Sequence, residues 1–140
     1  MKWEYRVGLM VLLVCLSPLA ACALPAEAQE RYTPTSRGEL RAAEAIAEAF
    51  PGWAVPSFVR IARCESGFDP GARSHGWDRF WGRYDYRGIL QVEAALHQWR
   101  AERIFGPSAD LYDPRVNAHV AAEIFEAQGW GAWPYCRRFA

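Results

Sequence analysis

Apolar residues recur at helical spacing shortly after a polar stretch near residue 35. Ser36 and Glu39 have the spacing of a capping box, in which a serine begins a helix and a glutamate three positions later supports it. The apolar stripe continues through Leu40, Ala43, Ala47 and Phe50, and Pro51-Gly52 then interrupts the pattern. The sequence therefore predicts a first helix from about residue 36 to residue 50.

A second helix is predicted from about Pro56 to Ser66. Phe58, Ile61 and Ala62 have the spacing of one helix face, and the next member of that stripe is Glu65. Gly67 follows directly and fits the position that ends a helix in the left-handed conformation. We therefore expect the Glu65 side chain to point inward with the apolar residues.

Two further helices are predicted toward the C-terminus. The third runs from about Val92 to Phe105, with Leu96 and Trp99 on the same face as Val92, and ends at Gly106-Pro107. The fourth has Asp113 as its N-cap and Pro114 as its first residue. Its apolar stripe and its final glycine are Val116, Val120, Ile124 and Gly129.

Between the second and third helices lies an aromatic segment, residues 76–86. Its aromatic residues alternate with charged ones, which predicts a short hairpin or a surface lobe. The aromatic members are Trp77, Phe80, Trp81, Tyr84 and Tyr86, and the charged ones are Asp78, Arg79, Arg83 and Asp85. Residues 36–140 thus read as one mainly helical, α+β domain with a possible small hairpin, large enough for one core.

The N-terminus has the order of a secretory signal peptide. Lys2 and Arg6 precede the apolar run 9–16, which is short for a membrane span, and small residues follow. Leu19-Ala20-Ala21-Cys22 resembles a bacterial lipobox, so residues 1–21 would be removed and Cys22 lipidated. Ordinary cleavage after Ala23 is the alternative. Residues 22–35 are predicted to be a flexible linker.

Charge and cysteine content limit the classes of partner. Removal of residues 1–21 leaves 14 Arg, 15 Asp or Glu and no Lys, a balance that argues against nucleic acid as a partner. If Cys22 carries lipid, Cys64 and Cys136 remain as a pair, and we expect a disulfide between them in an oxidising compartment. The three histidines lack ligand spacing, so no metal and no cofactor are predicted.

Glu65 is the strongest candidate for chemistry. Burial on an apolar stripe and the negative end of its own helix both disfavour the carboxylate, so its pKa should be raised. A carboxyl group that stays protonated near neutral pH can serve as a general acid. The alternative is an ordinary helix-end glutamate that is paired with Arg60 or Arg63.

Four segments together resemble the lytic transglycosylase and lysozyme-like superfamily over residues 54–136. These are Glu65-Ser66, Gly88-Ile89-Leu90-Gln91, the helix start Leu111–Asn117 and the Trp-rich end Gly129–Cys136. The resemblance implies a lysozyme-like fold and cleavage of the bond between muramic acid and glucosamine in peptidoglycan. It makes Glu65 the catalytic acid and Gln91 a residue of the sugar cleft, while Ser66 and Asn117 support or line that cleft.

This sequence departs from the family pattern in two places. The 22 residues between Glu65 and Gly88 form a longer spacer than usual, and the Ala-Tyr-Asn-Ala-Gly motif is absent. Both anhydro-muramyl and reducing-end products therefore remain open. Within the spacer, Trp77, Trp81 and Tyr86 could stack on sugar rings or form a satellite hydrophobic cluster. Trp130 and Trp133 are expected in the core beside Cys136.

A hydrolase on this fold would require a second carboxylate, whereas a lytic transglycosylase manages with one. The nearby candidates are Asp69, Asp78 and Asp85, of which Asp69 is expected to cap the turn at Pro70. The predicted protein is thus an exported, monomeric, membrane-anchored lytic transglycosylase of the bacterial cell envelope, with glycan strands as its partner. The alternatives are a muramidase-type hydrolase, a catalytically weak peptidoglycan-binding lipoprotein, and a structural envelope lipoprotein.

Overall fold

The computed structural model describes residues 36–80 and 82–140, and the following statements concern those residues. The predicted signal peptide, the linker, Cys22 and Trp81 lie outside them. Four α-helices and a three-stranded antiparallel sheet are present, which confirms the predicted mainly helical α+β class. The helices are α1 (Arg37–Ala49), α2 (Val55–Ser66), α3 (Ala94–Phe105) and α4 (Pro114–Gln128), and the strands are β1 (Arg73–Asp78), β2 (Gly82–Arg87) and β3 (Val92–Glu93). No described helix is long and apolar enough to cross a bilayer.

Phe58 of α2 lies at the centre of the aromatic core. Its ring stacks on Phe50 at a centroid distance of 3.8 Å and meets Trp130 at 5.2 Å and Trp133 at 5.0 Å. Phe125 of α4 closes the cluster at 5.1 Å from Phe58. Trp133 is buried together with Cys136, as expected, whereas Trp130 contacts the core aromatic residues but is only partly buried. The chain there forms two 3₁₀ turns, Gly129–Ala132 and Cys136–Phe139.

The signals for helix ends were accurate for α2 and α4. Gly67 ends α2 with φ of 61°, a left-handed conformation that glycine adopts at little cost. Asp113 caps α4 by accepting hydrogen bonds from the amides of Arg115 and Val116, with Pro114 at the first position. The Val116, Val120 and Ile124 stripe is buried.

The apolar stripe expected for α1 was correct at Phe50, which is buried, but wrong at two other positions. Ser36 does cap the helix, since its Oγ accepts a hydrogen bond from the Glu39 amide, but Leu40 and Ala47 are exposed. The buried side is formed by Glu39, Ala42, Ala45, Ile46 and, just beyond the helix, Phe50. Glu39 can be buried because its carboxylate pairs with Arg63. The observed buried face thus includes a charged residue that is paired with α2.

The expected start and buried face of α3 also need correction. Val92 and Glu93 belong to β3, where they pair with Arg87 and Tyr86, and α3 begins only at Ala94. Leu96 and Trp99 are exposed, while the small residues Ala94 and Ala101 face the interior. The packed face of α3 thus carries alanine rather than the larger apolar residues.

The aromatic segment forms a hairpin. β1 pairs with β2 from Arg73 opposite Arg87 to Asp78 opposite Gly82, and β3 adds a short third strand to β2. The Tyr84 ring covers Gly76 on the opposite strand, where a Cβ would lie 2.7 Å from the Tyr84 hydroxyl oxygen. Because side chains alternate along a strand, Tyr84 and Tyr86 share one face and Arg83, Asp85 and Arg87 the other.

Candidate active site

Glu65 lies in the last turn of α2 and is half-buried. Burial raises the pKa of its carboxyl group above the ordinary value of 4.5. The carboxyl group makes no hydrogen bond or ion pair with any described residue. Burial and the lack of a described partner therefore both favour the protonated form of this carboxyl group.

The two arginines closest in sequence do not pair with Glu65. Arg63 Nη2 lies 2.6 Å from Glu39 Oε1 on α1. Arg60 Nε donates to the carbonyl oxygen of Phe139, and Arg60 Nη2 donates to Ser57 Oγ at 3.2 Å. The interpretation of Glu65 as a salt-bridged helix-end glutamate consequently has no support in this geometry.

Both neighbours of Glu65 are fixed to other parts of the fold. Cys64 forms a disulfide with Cys136, as the sequence predicted, with the two Cα atoms 5.8 Å apart. Ser66 Oγ lies 2.9 Å from the carbonyl oxygen of Ile89 and 3.1 Å from that of Ala62, and it accepts a hydrogen bond from the Phe68 amide. The backbone that carries Glu65 is thereby tied to the C-terminal segment and to the 88–91 loop.

The 88–91 loop is held from the other side by Asn117 of α4. Asn117 is fully buried; its Oδ1 accepts from the Leu90 amide at 2.9 Å, and its Nδ2 donates to the carbonyl oxygens of Arg87 and Leu111. Gly88 adopts φ of 74°, and a Cβ there would collide with the Asn117 side chain and the Leu111 carbonyl oxygen. Only glycine fits this contact.

Ser66 and Asn117 thus occupy supporting positions around the loop. Every polar side-chain atom of Asn117 bonds to the backbone, and Ser66 Oγ is engaged in the same way. Gln91 differs from both, because it is partly exposed and adopts φ of 48°. Its Nε2 donates to the carbonyl oxygens of Gly88 and Ala72, at 2.9 and 3.2 Å, and the described residues donate no hydrogen bond to its Oε1.

Tyr86 interacts electrostatically with Glu65 and also lines a neighbouring pocket. The pKa of its hydroxyl is raised by burial and then by the negative charges of Glu93 and Glu65, so these groups lie within electrostatic reach. The pocket has a volume of about 200 Å³ and is lined by Tyr86 and Gln91 together with residues of β3, α3 and the C-terminal segment. Glu65, Ser66 and Asn117 are not among its lining residues.

Sequence reasoning missed two titratable residues of this pocket, Glu93 and His97. Glu93 is buried, and its two carboxylate oxygens accept hydrogen bonds from the amides of Asp85 and Leu96 at 2.9 and 2.8 Å. Burial, followed by the charge of Arg100, lowers the pKa of His97. Glutamate is not a favoured N-cap residue, so the usual helix-start rules did not identify Glu93.

The three aspartates considered as a second carboxylate all take part in other hydrogen bonds or ion pairs. Asp69 Oδ1 accepts from the Gly71 amide, so Asp69 caps the turn at Pro70 as expected. Asp78 Oδ1 accepts from the Phe80 amide in the hairpin turn. Asp85 lies between Arg73 and Arg87 at 2.7 and 2.6 Å, and hydrogen bonds from these arginines hold its pKa far below the ordinary value. We call Arg73, Asp85 and Arg87 the arginine cluster.

A larger cavity of about 570 Å³ lies on the other side of β2, beside the arginine cluster. Its lining includes Asp85, Arg87, Gln98 and Asp110 but none of the residues placed around Glu65. Among the described residues, no group of three or more His, Cys, Asp or Glu side chains is placed to hold a metal ion.

Comparison with known proteins gives one match. A family model described as "Transglycosylase SLT domain" matches residues 44–129, which include Glu65, Gln91 and Asn117. No curated protein and no solved structure matches the chain.

Proposed function

We propose that this chain, which belongs to the transglycosylase SLT domain family, is an exported lytic transglycosylase with Glu65 as its single acid and base. The family acts on peptidoglycan in the cell envelope. The finer proposal is that the protein cleaves the glycosidic bond between N-acetylmuramic acid and N-acetylglucosamine.

The observation that carries the proposal is the state of Glu65. Its carboxyl group is half-buried, has a raised pKa and lacks a described partner. The nearby arginines are paired elsewhere, and the disulfide and Ser66 fix the flanking backbone. A carboxyl group whose protonated form is favoured and whose backbone is held in position is suited to give its proton to a poor leaving group.

One carboxyl group is sufficient for the reaction if it acts twice. The protonated Glu65 gives its proton to the glycosidic oxygen while the bond from that oxygen to muramyl C1 breaks, and the glucosamine hydroxyl leaves. The N-acetyl oxygen of the substrate supports the positive charge at C1. The Glu65 carboxylate then takes the proton from the muramyl 6-hydroxyl as that oxygen bonds to C1, which forms the anhydro ring.

The remaining predicted residues divide into two groups. We assign Tyr86 and Gln91 to substrate binding, because both line the 200 Å³ pocket and Tyr86 is within electrostatic reach of Glu65. We assign Ser66 and Asn117 to holding the loop that carries Gln91, because their hydrogen bonds go to its backbone. In this proposal the sugar cleft runs past the hairpin face that carries Tyr84 and Tyr86.

The environment of Glu93 favours transglycosylation over hydrolysis. Glu93 is the buried carboxylate of the pocket, but both of its oxygens already accept backbone hydrogen bonds. With Asp69, Asp78 and Asp85 engaged as well, the described site offers no obvious second carboxylate to activate water.

Export and anchoring complete the proposal. The signal peptide over residues 1–21 and lipidation of Cys22 would place the domain at the cell envelope, where its substrate lies. Labelled fatty acid should be incorporated into the wild-type protein and not into a Cys22→Ala variant. A mature wild-type protein that begins at Leu24 and carries no label would reject the anchor.

Product analysis tests the reaction. Purified sacculi digested by the wild-type protein should release fragments with anhydro-muramyl ends, identified by mass spectrometry. Reducing ends would indicate a hydrolase, and co-sedimentation without turnover would indicate a binding protein. Glu65→Gln serves as the inactive reference. Glu126→Gln makes the same chemical change at an exposed position near the end of α4, and we expect it to digest like wild type.

A further inference from the structure

The end of the β1–β2 hairpin exposes two large aromatic side chains close together in sequence. Trp77, near the end of β1, is 72% exposed, and Phe80, in the turn, is 84% exposed. Arg79 and Arg83 lie beside them and are exposed as well. We call Trp77, Arg79, Phe80 and Arg83 the hairpin tip.

The hairpin tip lies apart from the proposed sugar cleft. Trp77 is paired directly with Arg83, so both side chains project from the face opposite to Tyr84 and Tyr86. Neither Trp77 nor Phe80 lines either cavity. The sequence left open whether the aromatic residues stack on sugars or form a cluster, and the hairpin separates Trp77 from Tyr86.

The arginines of the tip also differ from those of the arginine cluster. Arg73 and Arg87 are bound by Asp85. Arg79 and Arg83 have no ion-pair partner among the described residues. The acidic residue of the turn, Asp78, is partly buried and accepts a hydrogen bond from the Phe80 amide. The outward surface of the tip is therefore aromatic and positively charged.

We propose that the hairpin tip binds the surface of an anionic phospholipid bilayer. Tryptophan and phenylalanine enter the boundary between headgroups and acyl chains, and arginine attracts and binds lipid phosphates. The side chains project from the end of a hairpin, and Trp77 and Phe80 line neither of the two cavities, so they fit a soft, extended surface. A sugar chain would require a groove with converging polar groups.

This contact is independent of catalysis by Glu65 and of lipid at Cys22. It would give the domain a second attachment point, with the hairpin directed toward the bilayer. Two weak membrane contacts on one chain reinforce each other, because the first raises the local concentration of the second.

Vesicle binding by the full chain with Cys22→Ser tests the proposal, because that background removes the lipid from every variant. Binding is measured by flotation with vesicles of phosphatidylglycerol and phosphatidylcholine, and with phosphatidylcholine alone. Arg79→Gln with Arg83→Gln should weaken binding to the anionic vesicles about 30-fold at low salt. Trp77→Ser with Phe80→Ser should weaken it roughly tenfold.

Matched control variants distinguish the contribution of the hairpin tip to vesicle binding from the general effects of net charge and of exposed aromatic residues. Arg37→Gln with Arg41→Gln changes the net charge equally on the exposed side of α1. Trp53→Ser with Tyr135→Ser removes aromatic residues that are 69% and 82% exposed elsewhere. These controls should retain most of the binding, and all variants should melt near the wild-type temperature.

Several outcomes would overturn the proposal. Equal losses in the tip and control variants would mean general electrostatic or apolar binding. Tip variants that bind anionic vesicles like the parent protein would exclude the membrane contact. If those variants instead lose binding to purified sacculi in the Glu65→Gln background, the tip is a glycan contact. Failure of the transglycosylase proposal would leave the vesicle result unchanged, since flotation does not depend on turnover.

Discussion

Two carboxyl groups near β2 have opposite electrostatic surroundings. Glu65 is half-buried without a described partner, and burial raises its pKa. Asp85 lies between two arginines, and their hydrogen bonds lower its pKa. The charge of Glu65 contributes to the raised pKa of Tyr86. Tyr86 directly follows Asp85, so its side chain lies on the opposite face of β2. The protonated form is therefore favoured at Glu65 on α2, and the ionised form is favoured at Asp85 on β2.

The comparison shows that the placement of arginine determines the chemistry of each carboxyl group. Arg60 and Arg63 are only a few residues from Glu65, yet their guanidinium groups are engaged by Phe139 and Glu39. Arg73 and Arg87 lie on separate strands, and the hairpin register brings both to Asp85. Distance along the chain therefore does not decide which acid becomes ionised; tertiary structure does.

Neutralising each carboxyl group in turn is the strongest test of this comparison. Glu65→Gln should lower sacculus digestion by at least about 10²-fold, because the transferable proton is lost. Its stability should stay equal or rise, since a half-buried ionisable group becomes neutral. Asp85→Asn should keep most activity but lower the melting temperature, because Arg73 and Arg87 lose their counterion. Activity and thermal melting are measured on the same preparations.

The reverse pattern would contradict this assignment. An inactive Asp85→Asn protein with wild-type stability would place the chemistry at the arginine cluster. A Glu65→Gln protein that digests sacculi near the wild-type rate would remove Glu65 from the reaction.

The disulfide makes the Glu65 region more dependent on a covalent link than the arginine cluster. Cys64 and Cys136 are separated by 72 positions, and a loop of that length implies about 4 kcal/mol of stabilisation in the chain-entropy model. Cys64→Ser with Cys136→Ser should lower the free energy of unfolding by that order, as measured by urea denaturation. Wild-type protein in reductant is the control and should behave similarly. Free thiols at both positions in oxidised, exported protein would contradict the prediction.

Substitution of Asn117 should have the next largest effect on stability, because Asn117 holds the loop that carries Gln91. Asn117→Leu keeps a similar volume but leaves the Leu90 amide and the carbonyl groups of Arg87 and Leu111 without their partner. We expect a loss of about 3 kcal/mol in unfolding free energy and reduced activity below the melting transition. Ser66→Ala, which removes one side-chain hydroxyl, should cost less, about 1 kcal/mol. Wild-type stability in Asn117→Leu would contradict the supporting role.

The sequence predicted α2 and α4 well because their end signals are strong and local. Gly67, Asp113, Pro114 and Gly129 act within one turn of the chain, where periodicity and capping rules apply. It predicted the orientation of α1 poorly, because alanines on several sides allow more than one apolar stripe. The stripe that is buried includes Glu39, whose partner Arg63 lies 24 positions away on α2, and a local pattern does not reveal such a contact.

The candidate site was predictable only in part for a similar reason. Glu65 was identified because the motif and the α2 stripe coincide on one residue. The engagement of Ser66 and Asn117 by loop backbone, and the presence of Glu93 and His97 in the pocket, arise from contacts between distant elements. The directions of Leu96 and Trp99 were wrong because helix packing, rather than side-chain hydrophobicity, selects the alanine face of α3.

The smallest expected effect is a difference in how stability depends on pH. In the folded protein the pKa of Glu65 is raised above 4.5, so the native state keeps its proton at pH values where the unfolded chain has already ionised. Stability therefore declines as the pH rises from 4.5 to the folded-state pKa. For Asp85, the folded pKa lies below 3.8, so its contribution is present above that value and is lost as the pH falls. The melting-temperature difference between Glu65→Gln and wild type should therefore grow as the pH rises above 4.5. The deficit of Asp85→Asn should shrink as the pH drops below about 4. Thermal melts of wild type and both variants across this pH range measure the two dependences. If the melting temperature of each variant, relative to wild type, changes with pH in the same direction, the two carboxyl groups do not have opposite environments.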